Sequence, residues 1–202
     1  MPRTIDYYFT ASSPWSYFGH RRFMDLVSQY KLAVDYRPMR LAQVFEATGG
    51  LPLGKRAPAR QAYRMHELKR WREYLGIELN LEPKFFPVDD LPATRLINYA
   101  EDRLCDMDQL LFAIWRAVWV QERNIADPDD LRRILKDLDL DSNWVAESET
   151  DEAANARINS DSEAAIAAGI VGAPGYVFRD EPFWGQDRLD MLGWRLYQAF
   201  DS

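Results

Sequence analysis

The residues best suited to chemistry form one short stretch near the start of the chain, Ser12–Phe18. Ser13 and Ser16 are three residues apart, and Pro14 lies at the first position of a predicted helix, where a preceding serine can cap free N–H groups. A helix start offers unpaired N–H donors and the positive end of the macrodipole, so it would stabilise a thiolate, a carboxylate or a phosphate. An ordinary capped helix would show the same local pattern.

A second motif, Val171–Pro174, lies far downstream and precedes a predicted strand. A proline that opens a strand after a loop is a candidate for a cis peptide bond, here between Ala173 and Pro174. In such a turn the backbone of Ala173 would face solvent, and a peptide-like ligand could pair with it as an extra strand. A trans proline at an edge strand is the alternative.

A third motif is the segment Trp184, Gly185, Gln186 and Asp187, which precedes the last predicted helix. Gly185 would allow close approach of a ligand, the N–H groups of Gln186 and Asp187 would face a carboxylate, and the Asp187 side chain would accept from an ammonium. Alone, Asp187 is as well explained as a helix cap. Together the three motifs suit a thiol, a short peptide backbone and an amino-acid end, which are the parts of glutathione.

The elements that must position these motifs follow from hydrophobic periodicity. A strand over 3–9, a helix over 14–30 and a strand over 33–38 make a βαβ unit with parallel pairing. Gly and Pro clusters predict a loop over 42–60, and the pattern over 61–150 is helical. A helix over 151–169, two short strands joined near Arg179 and a final helix complete the chain. We therefore expect an α/β fold, a mixed sheet with helices on both faces and an inserted run of helices.

Composition narrows the possible partners. The 202-residue chain carries a net charge of −7, which argues against nucleic acid or an anionic membrane surface as its partner. It has no apolar run long enough to span a bilayer and no signal-peptide core at its start, so we expect a cytoplasmic protein. The single cysteine, Cys105, is predicted to lie in a helical stretch with Leu104, and His20 and His66 lack metal-ligand spacing, so no metal site is expected.

The three motifs, in this order and spacing, resemble those of the 2-hydroxychromene-2-carboxylate isomerases and the kappa-class glutathione transferases, which are DsbA-like proteins of the thioredoxin superfamily. The resemblance covers almost the whole chain. It implies a thioredoxin-like domain formed by residues 1–40 and 155–202, interrupted by a helical insertion over 41–154. It also implies a homodimer, for which the aromatic stripe containing Trp115 and Trp119 is a candidate contact; packing in the core is the alternative.

The resemblance also implies site residues. Ser13 would contact the glutathione sulfur, Ala173 before Pro174 would pair with the cysteinyl backbone, and Trp184 to Asp187 would hold the γ-glutamyl end. Arg60 lies where many members have a lysine near glutathione. Further residues are expected on the substrate side: Arg40, Gly50 and Tyr63. The chain departs from the family in Thr48–Pro52, where many members have an asparagine, and at His66, near which they commonly have an acidic residue.

The resulting hypothesis is a glutathione-dependent cis–trans isomerase acting on an aromatic oxo-acid of the 2-hydroxychromene-2-carboxylate type. Serines in place of a Cys-x-x-Cys pair exclude dithiol exchange by the protein itself, so the sulfur must come from a ligand. Two alternatives use the same site: a kappa-class-like transferase that conjugates glutathione to electrophiles, and a redox-inactive module that binds peptides at Ala173 and Pro174.

Overall fold

The computed structural model describes residues 3–103 and 105–200, and a four-stranded sheet runs through its centre. The strands lie in the order β2-β1-β3-β4, with β1 parallel to β2 and antiparallel to β3, and with β3 antiparallel to β4. Their bounds are β1 Thr4–Phe9, β2 Ala33–Pro38, β3 Gly175–Phe178 and β4 Glu181–Trp184. This is the mixed sheet that the sequence predicts.

The described helices fall into three groups along the chain. They are α1 Pro14–Tyr30, then α2 Leu41–Thr48, α3 Pro58–Leu75, α4 Leu91–Glu101, α5 Met107–Trp119, α6 Pro128–Asp137 and α7 Trp144–Thr150, then α8 Glu152–Ala167 and α9 Leu189–Phe200. The order β1-α1-β2, a block of helices and α8-β3-β4-α9 confirms the predicted thioredoxin-like α/β architecture with inserted helices.

The main core lies between α1 and the sheet and continues into α5. Tyr7 and Phe9 of β1, Phe23 of α1 and Trp115 of α5 are all fully buried, and Tyr7 stacks on Tyr176 of β3. Aromatic and β-branched residues favour such a buried strand surface, and burying each large side chain contributes roughly 1.5–3 kcal/mol. The core therefore fixes both the start of α1 and the end of β1.

The predicted loop over 42–60 is wrong for most of its length. Residues Leu41–Thr48 form α2, a short 3₁₀ turn spans Leu53–Lys55, and α3 already begins at Pro58. Gly49 ends α2 in the left-handed conformation, with φ of 77°. The glycine and proline residues therefore mark the ends and starts of short helices, and the prediction of one long loop was wrong because such residues are also typical of loops.

Two further expectations need correction. Cys105 is not in a helix: α4 ends at Glu101 and α5 begins at Met107, while Leu104 lies outside the described residues. Trp115 and Trp119 are 0% exposed, so the stripe belongs to the core and is not a subunit contact. The helical period of α5 was predicted correctly, but its apolar face packs on α1 within the same chain.

Among the described residues, no helix has the length and apolar character needed to cross a membrane.

Candidate active site

Strand register brings the three sequence motifs to one edge of the sheet. β1 ends at Phe9, and Tyr8 pairs with Gly175, the first residue of β3. Gly175 pairs in turn with Trp184, the last residue of β4. The turn after β1, the segment before β3 and the segment after β4 therefore leave the sheet at the same edge, although about 160 residues separate the first from the others.

Ser13 forms the N-cap of α1, as predicted. Its backbone is extended, with φ of −77° and ψ of 121°, and its Oγ accepts a hydrogen bond from the Ser16 N–H at 3.2 Å. Within the described part of the chain nothing accepts the Ser13 hydroxyl proton, and the Trp15 N–H has no acceptor either. The first turn of α1 contains no acidic side chain. Two donors and an unneutralised helix dipole are thus available to an anion.

Distant residues hold the turn that precedes Ser13. Trp115 donates its indole N–H to the Thr10 carbonyl at 3.0 Å, and Trp119 donates to the Ser12 carbonyl at 3.2 Å. Ser12 donates its hydroxyl to Asp90 Oδ2 at 2.6 Å and its N–H to the same oxygen at 3.3 Å. These bonds satisfy polar backbone groups that would otherwise be buried without partners.

Asp90 is a functional candidate that the sequence reading missed. Burial raises the pKa of this carboxyl, and the two hydrogen bonds from Ser12 oppose the increase. The pair Asp89–Asp90 before Leu91 and Pro92 signals a helix start, and Asp90 is indeed the N-cap residue of α4. Its side chain does not cap α4 but bonds to Ser12, 78 residues away, and no local pattern reveals that contact.

Ala173 and Pro174 are joined by a cis peptide bond, as the sequence predicts. The Pro174 carbonyl accepts a hydrogen bond from the Gly185 N–H at 2.8 Å, which ties the second motif to the third. In the described structure, neither the N–H nor the carbonyl of Ala173 has a hydrogen-bond partner. An extended ligand backbone could therefore pair with both groups.

The third motif packs against α1. Gln186 is 3% exposed and accepts hydrogen bonds from Arg22 through its side-chain oxygen at 3.1 Å and its carbonyl at 3.2 Å. Gly185 has φ of 104°, a conformation that favours glycine. The Asp187 carboxylate is exposed and lies 3.0 Å from the Arg188 guanidinium, while Trp184 is 56% exposed. Residues Gln186–Arg188 form a 3₁₀ turn that leads into α9, and no side chain caps it.

The expected substrate-side residues are more scattered. Arg60 is exposed in the first turn of α3, and Tyr63, also on α3, is 60% exposed. Gly50 lies directly against the Phe45 ring, where a Cβ would collide. Arg40 is exposed at the start of α2, and its N–H donates to Ser162 of α8 at 2.9 Å. Within residues 3–103 and 105–200, no cluster of three His, Cys, Asp or Glu side chains could hold a metal ion.

Comparison with known proteins agrees with this fold. A family model described as "DSBA-like thioredoxin domain" matches residues 4–196. The chain is 27% identical over 193 residues to the 2-hydroxychromene-2-carboxylate isomerase of Sphingobium xenophagum, covering 95% of this chain and 97% of that protein. It is 26% identical to glutathione S-transferase kappa 1 of Caenorhabditis elegans, covering 98% and 92%. The solved structure of a 2-hydroxychromene-2-carboxylate isomerase superposes with a TM-score of 0.78 at 26% identity, covering 98% of each chain.

Proposed function

We propose a function on the premise that this chain belongs to the family of DSBA-like thioredoxin domains and is an enzyme related to the 2-hydroxychromene-2-carboxylate isomerases. The proposed activity is glutathione-dependent cis–trans isomerisation of an aromatic oxo-acid. The observation that carries the proposal is the Ser13 hydroxyl, whose proton has no acceptor in the described structure, at the start of a helix without first-turn acids.

The two serines of the first motif define which chemistry remains. Ser13 and Ser16 cannot form a disulfide, so dithiol exchange by this chain is excluded on chemical grounds. Cys105 cannot replace them, because burial raises its pKa to about 11 and leaves it almost entirely in the thiol form near neutral pH. The reactive sulfur would therefore belong to a bound ligand.

The described residues fit glutathione at each of its parts. Ser13 O–H and Trp15 N–H would donate to the sulfur, and hydrogen bonds to the charged form lower a thiol pKa. The unpaired N–H and carbonyl of Ala173 would pair with the cysteinyl backbone. The segment from Trp184 to Asp187 would hold the γ-glutamyl end, with Gly185 allowing close approach, and Arg60 would lie near the peptide.

When bound, glutathione would supply a thiolate that adds reversibly to an activated double bond, which permits rotation and then elimination with no net redox change. The chain's own contribution is to hold that sulfur as an anion. The Ser13 hydroxyl would donate its proton to the sulfur in a hydrogen bond while its Oγ still accepts the Ser16 N–H. That bond holds the oxygen in place before the ligand arrives.

Substitution of Ser13 by alanine tests this proposal. We expect the thiol pKa of bound glutathione to rise towards its free value of about 8.5 and kcat to fall by about 10- to 100-fold, since a hydrogen bond to a charged group is worth about 1.5–3 kcal/mol. The pKa is read from the ultraviolet absorbance of the thiolate as pH is varied. Ser16→Ala is the matched control, because its buried hydroxyl has no partner. Equal pKa values in wild type and Ser13→Ala would refute the assignment.

A kappa-class-like transferase is the second candidate, favoured by the match to glutathione S-transferase kappa 1. It would use the same sulfur but release a stable adduct. Incubation with glutathione and a panel of electrophiles separates the two: accumulating adducts favour a transferase, and a changed isomer ratio without adducts favours an isomerase. Equal affinity for glutathione and for unrelated tripeptides, without turnover, would favour the peptide-binding module.

The proposal has two further parts. The thioredoxin-like domain comprises residues 1–40 and 155–202, and the helical insertion comprises residues 41–154. The active form is a homodimer in the cytoplasm, and light scattering of the purified protein measures its oligomeric state.

A further inference from the structure

Three arginines, Arg56, Arg60 and Arg64, follow one another at intervals of four residues. Arg56 lies just before α3, and Arg60 and Arg64 lie in its first two turns. Within the described part of the chain none of them forms an ion pair, whereas Arg70, further along the same helix, is paired with Glu67. The chain as a whole has seven more acidic than basic residues. Arg60 is exposed and needs no carboxylate partner, but Arg64 is half-buried, and an arginine in such a place without an ion pair is a candidate for ligand binding.

Arg64 is the most enclosed of the three. Arg60, Arg64 and Leu68 lie on one face of α3. Arg60 is exposed, Arg64 is half-buried and Leu68 is fully buried. The Arg64 guanidinium carbon lies 5.4 Å from the centre of the Phe86 ring, and its one hydrogen-bond contact is with the Met65 sulfur at 4.0 Å. A half-buried guanidinium without an ion pair costs free energy, because neither the Phe86 ring nor the Met65 sulfur replaces the hydrogen bonds to water that burial removes.

The pKa of Arg64 also indicates that its charge lies in an unfavourable environment. Burial is the main cause that lowers its pKa to about 10, and the like charge of Arg56 adds to the effect. The Arg56 side chain is itself anchored, since its Nε donates to the Leu51 carbonyl at 2.8 Å. A carboxylate between the two guanidinium groups would relieve both the desolvation and the repulsion.

Two aromatic rings, Phe86 and Trp119, link Arg64 to the candidate active site. The Phe86 ring that it faces is 4.7 Å from the Trp119 ring, and Trp119 donates to the Ser12 carbonyl, one residue before Ser13. α3 also packs against α1, whose N-cap residue is Ser13. A short chain of contacts thus connects the Arg64 guanidinium with the turn that would hold the sulfur.

We propose that Arg64, assisted by Arg56, forms a carboxylate-binding subsite for an organic acid beside the Phe86 ring, which contacts Trp119 behind the turn that contains Ser12 and Ser13. This inference rests on the proposed function for the identity of the acid, which is either the aromatic substrate or the glycine end of glutathione. Arg40, which the sequence places on the substrate side, and Arg60, which it places near glutathione, are both exposed, whereas Arg64 is half-buried. Arginine suits this role because its planar fork binds a carboxylate through two parallel hydrogen bonds.

The test uses benzoate and its neutral analogue benzamide, with binding followed by tryptophan fluorescence. We expect wild type to bind benzoate at least about tenfold more tightly than benzamide and Arg64→Met to lose that difference. Arg70→Met is the matched control on the same helix and should keep it. Because Arg64 forms no ion pair within the described part of the chain, and methionine can still pack on the Phe86 ring, Arg64→Met should unfold at no lower temperature than wild type, which confirms that the variant is folded.

A wild type that does not distinguish benzoate from benzamide, or an Arg64→Met variant that still does, would overturn the subsite. A second series with saturating glutathione identifies the source of the acid. Unchanged benzoate binding assigns the subsite to the substrate, and competition assigns it to the glycine carboxylate. Turnover is not needed for either measurement. Charge-selective binding without glutathione-dependent turnover would therefore support the subsite while refuting the proposed function.

Discussion

At the scale of single residues, two serines in one helical turn have different roles because of their positions. Ser13 lies outside the helix, so its side chain can turn back and accept the N–H of Ser16. Ser16 lies inside the first turn, and its own hydroxyl is buried without a partner. Position relative to the helix start, and not residue type, determines which hydroxyl can serve a ligand.

Asp90 offers a stability test at the same scale. Replacement by alanine should lower the free energy of unfolding by about 1–3 kcal/mol, because both the N–H and the hydroxyl of Ser12 would lose their acceptor. Asp90→Asn retains an acceptor oxygen and removes a buried charge, so it should lose less. Urea unfolding at neutral pH measures both variants. A loss for Asp90→Asn as large as that for Asp90→Ala would show that the charge itself is required, because only the asparagine retains an acceptor oxygen.

At the scale of elements, the contact between α1 and the 3₁₀ turn Gln186–Arg188 places the first and third motifs side by side. Gly19 makes this contact possible: a Cβ there would lie 2.8 Å from Gln186 Cβ and 2.9 Å from the Tyr176 hydroxyl oxygen. Glycine inside a helix ordinarily costs about 0.5–1 kcal/mol relative to alanine. Close packing of α1 on the turn explains why the residue is glycine here.

Gly19→Ala should therefore destabilise the protein, although alanine is the better helix former. We expect a loss of about 1–3 kcal/mol from overpacking and weaker glutathione binding, because the segment from Trp184 to Asp187 must shift. Gly193→Ala in α9 is the matched control, since its Cβ would meet only the end of the flexible Leu26 side chain at 3.2 Å. Thermal unfolding and calorimetric titration measure the two effects. If both glycine variants behave alike, packing at Gly19 does not position the third motif.

At the scale of the whole molecule, an ionic network joins α8 to the sheet. Arg37 of β2 contacts Asp6 of β1, its neighbour Asp35 and Asp161 of α8. Asp161 is 4% exposed, and one of its oxygens has no hydrogen-bond partner. Burial raises its pKa from 3.8 to about 6, although Arg157 and Arg37 oppose the increase.

This network predicts a pH dependence of stability. Below about pH 4 the Asp161 carboxyl is neutral in both the folded and the unfolded state. As pH rises from there to about 6, the unfolded chain ionises first, and this ionisation opposes folding. The free energy of unfolding should therefore contain a component that declines between these two values. Asp161→Asn should remove that component and leave Arg37 paired with Asp6 and Asp35. Urea titrations across this range provide the measurement, and an identical pH profile in both proteins would contradict the prediction.

Local pattern predicted those parts of the molecule that local interactions determine. The cap and proline at Ser13 and Pro14, the period of α5, and the hairpin between β3 and β4 follow from neighbouring residues. The partners of contacts across the fold were not predictable. Neither the hydrogen bonds between Ser12 and Asp90 nor the contact of Trp115 with Phe9 of β1 has a sequence signal. The same limit applies to Arg64, which differs from other surface arginines only in what surrounds it.

The turn before Ser13 also has a consequence for the order of events during synthesis. Its carbonyl groups and Ser12 hydroxyl bond to side chains 78, 105 and 107 residues later in the chain. Contacts this distant form late, because the intervening chain must first be ordered. When only the first strand and the first helix have emerged from the ribosome, the turn before Ser13 therefore lacks the side chains that hold it in place. On the proposed function, competence to bind glutathione would arise only once Trp119 has emerged and docked on the turn.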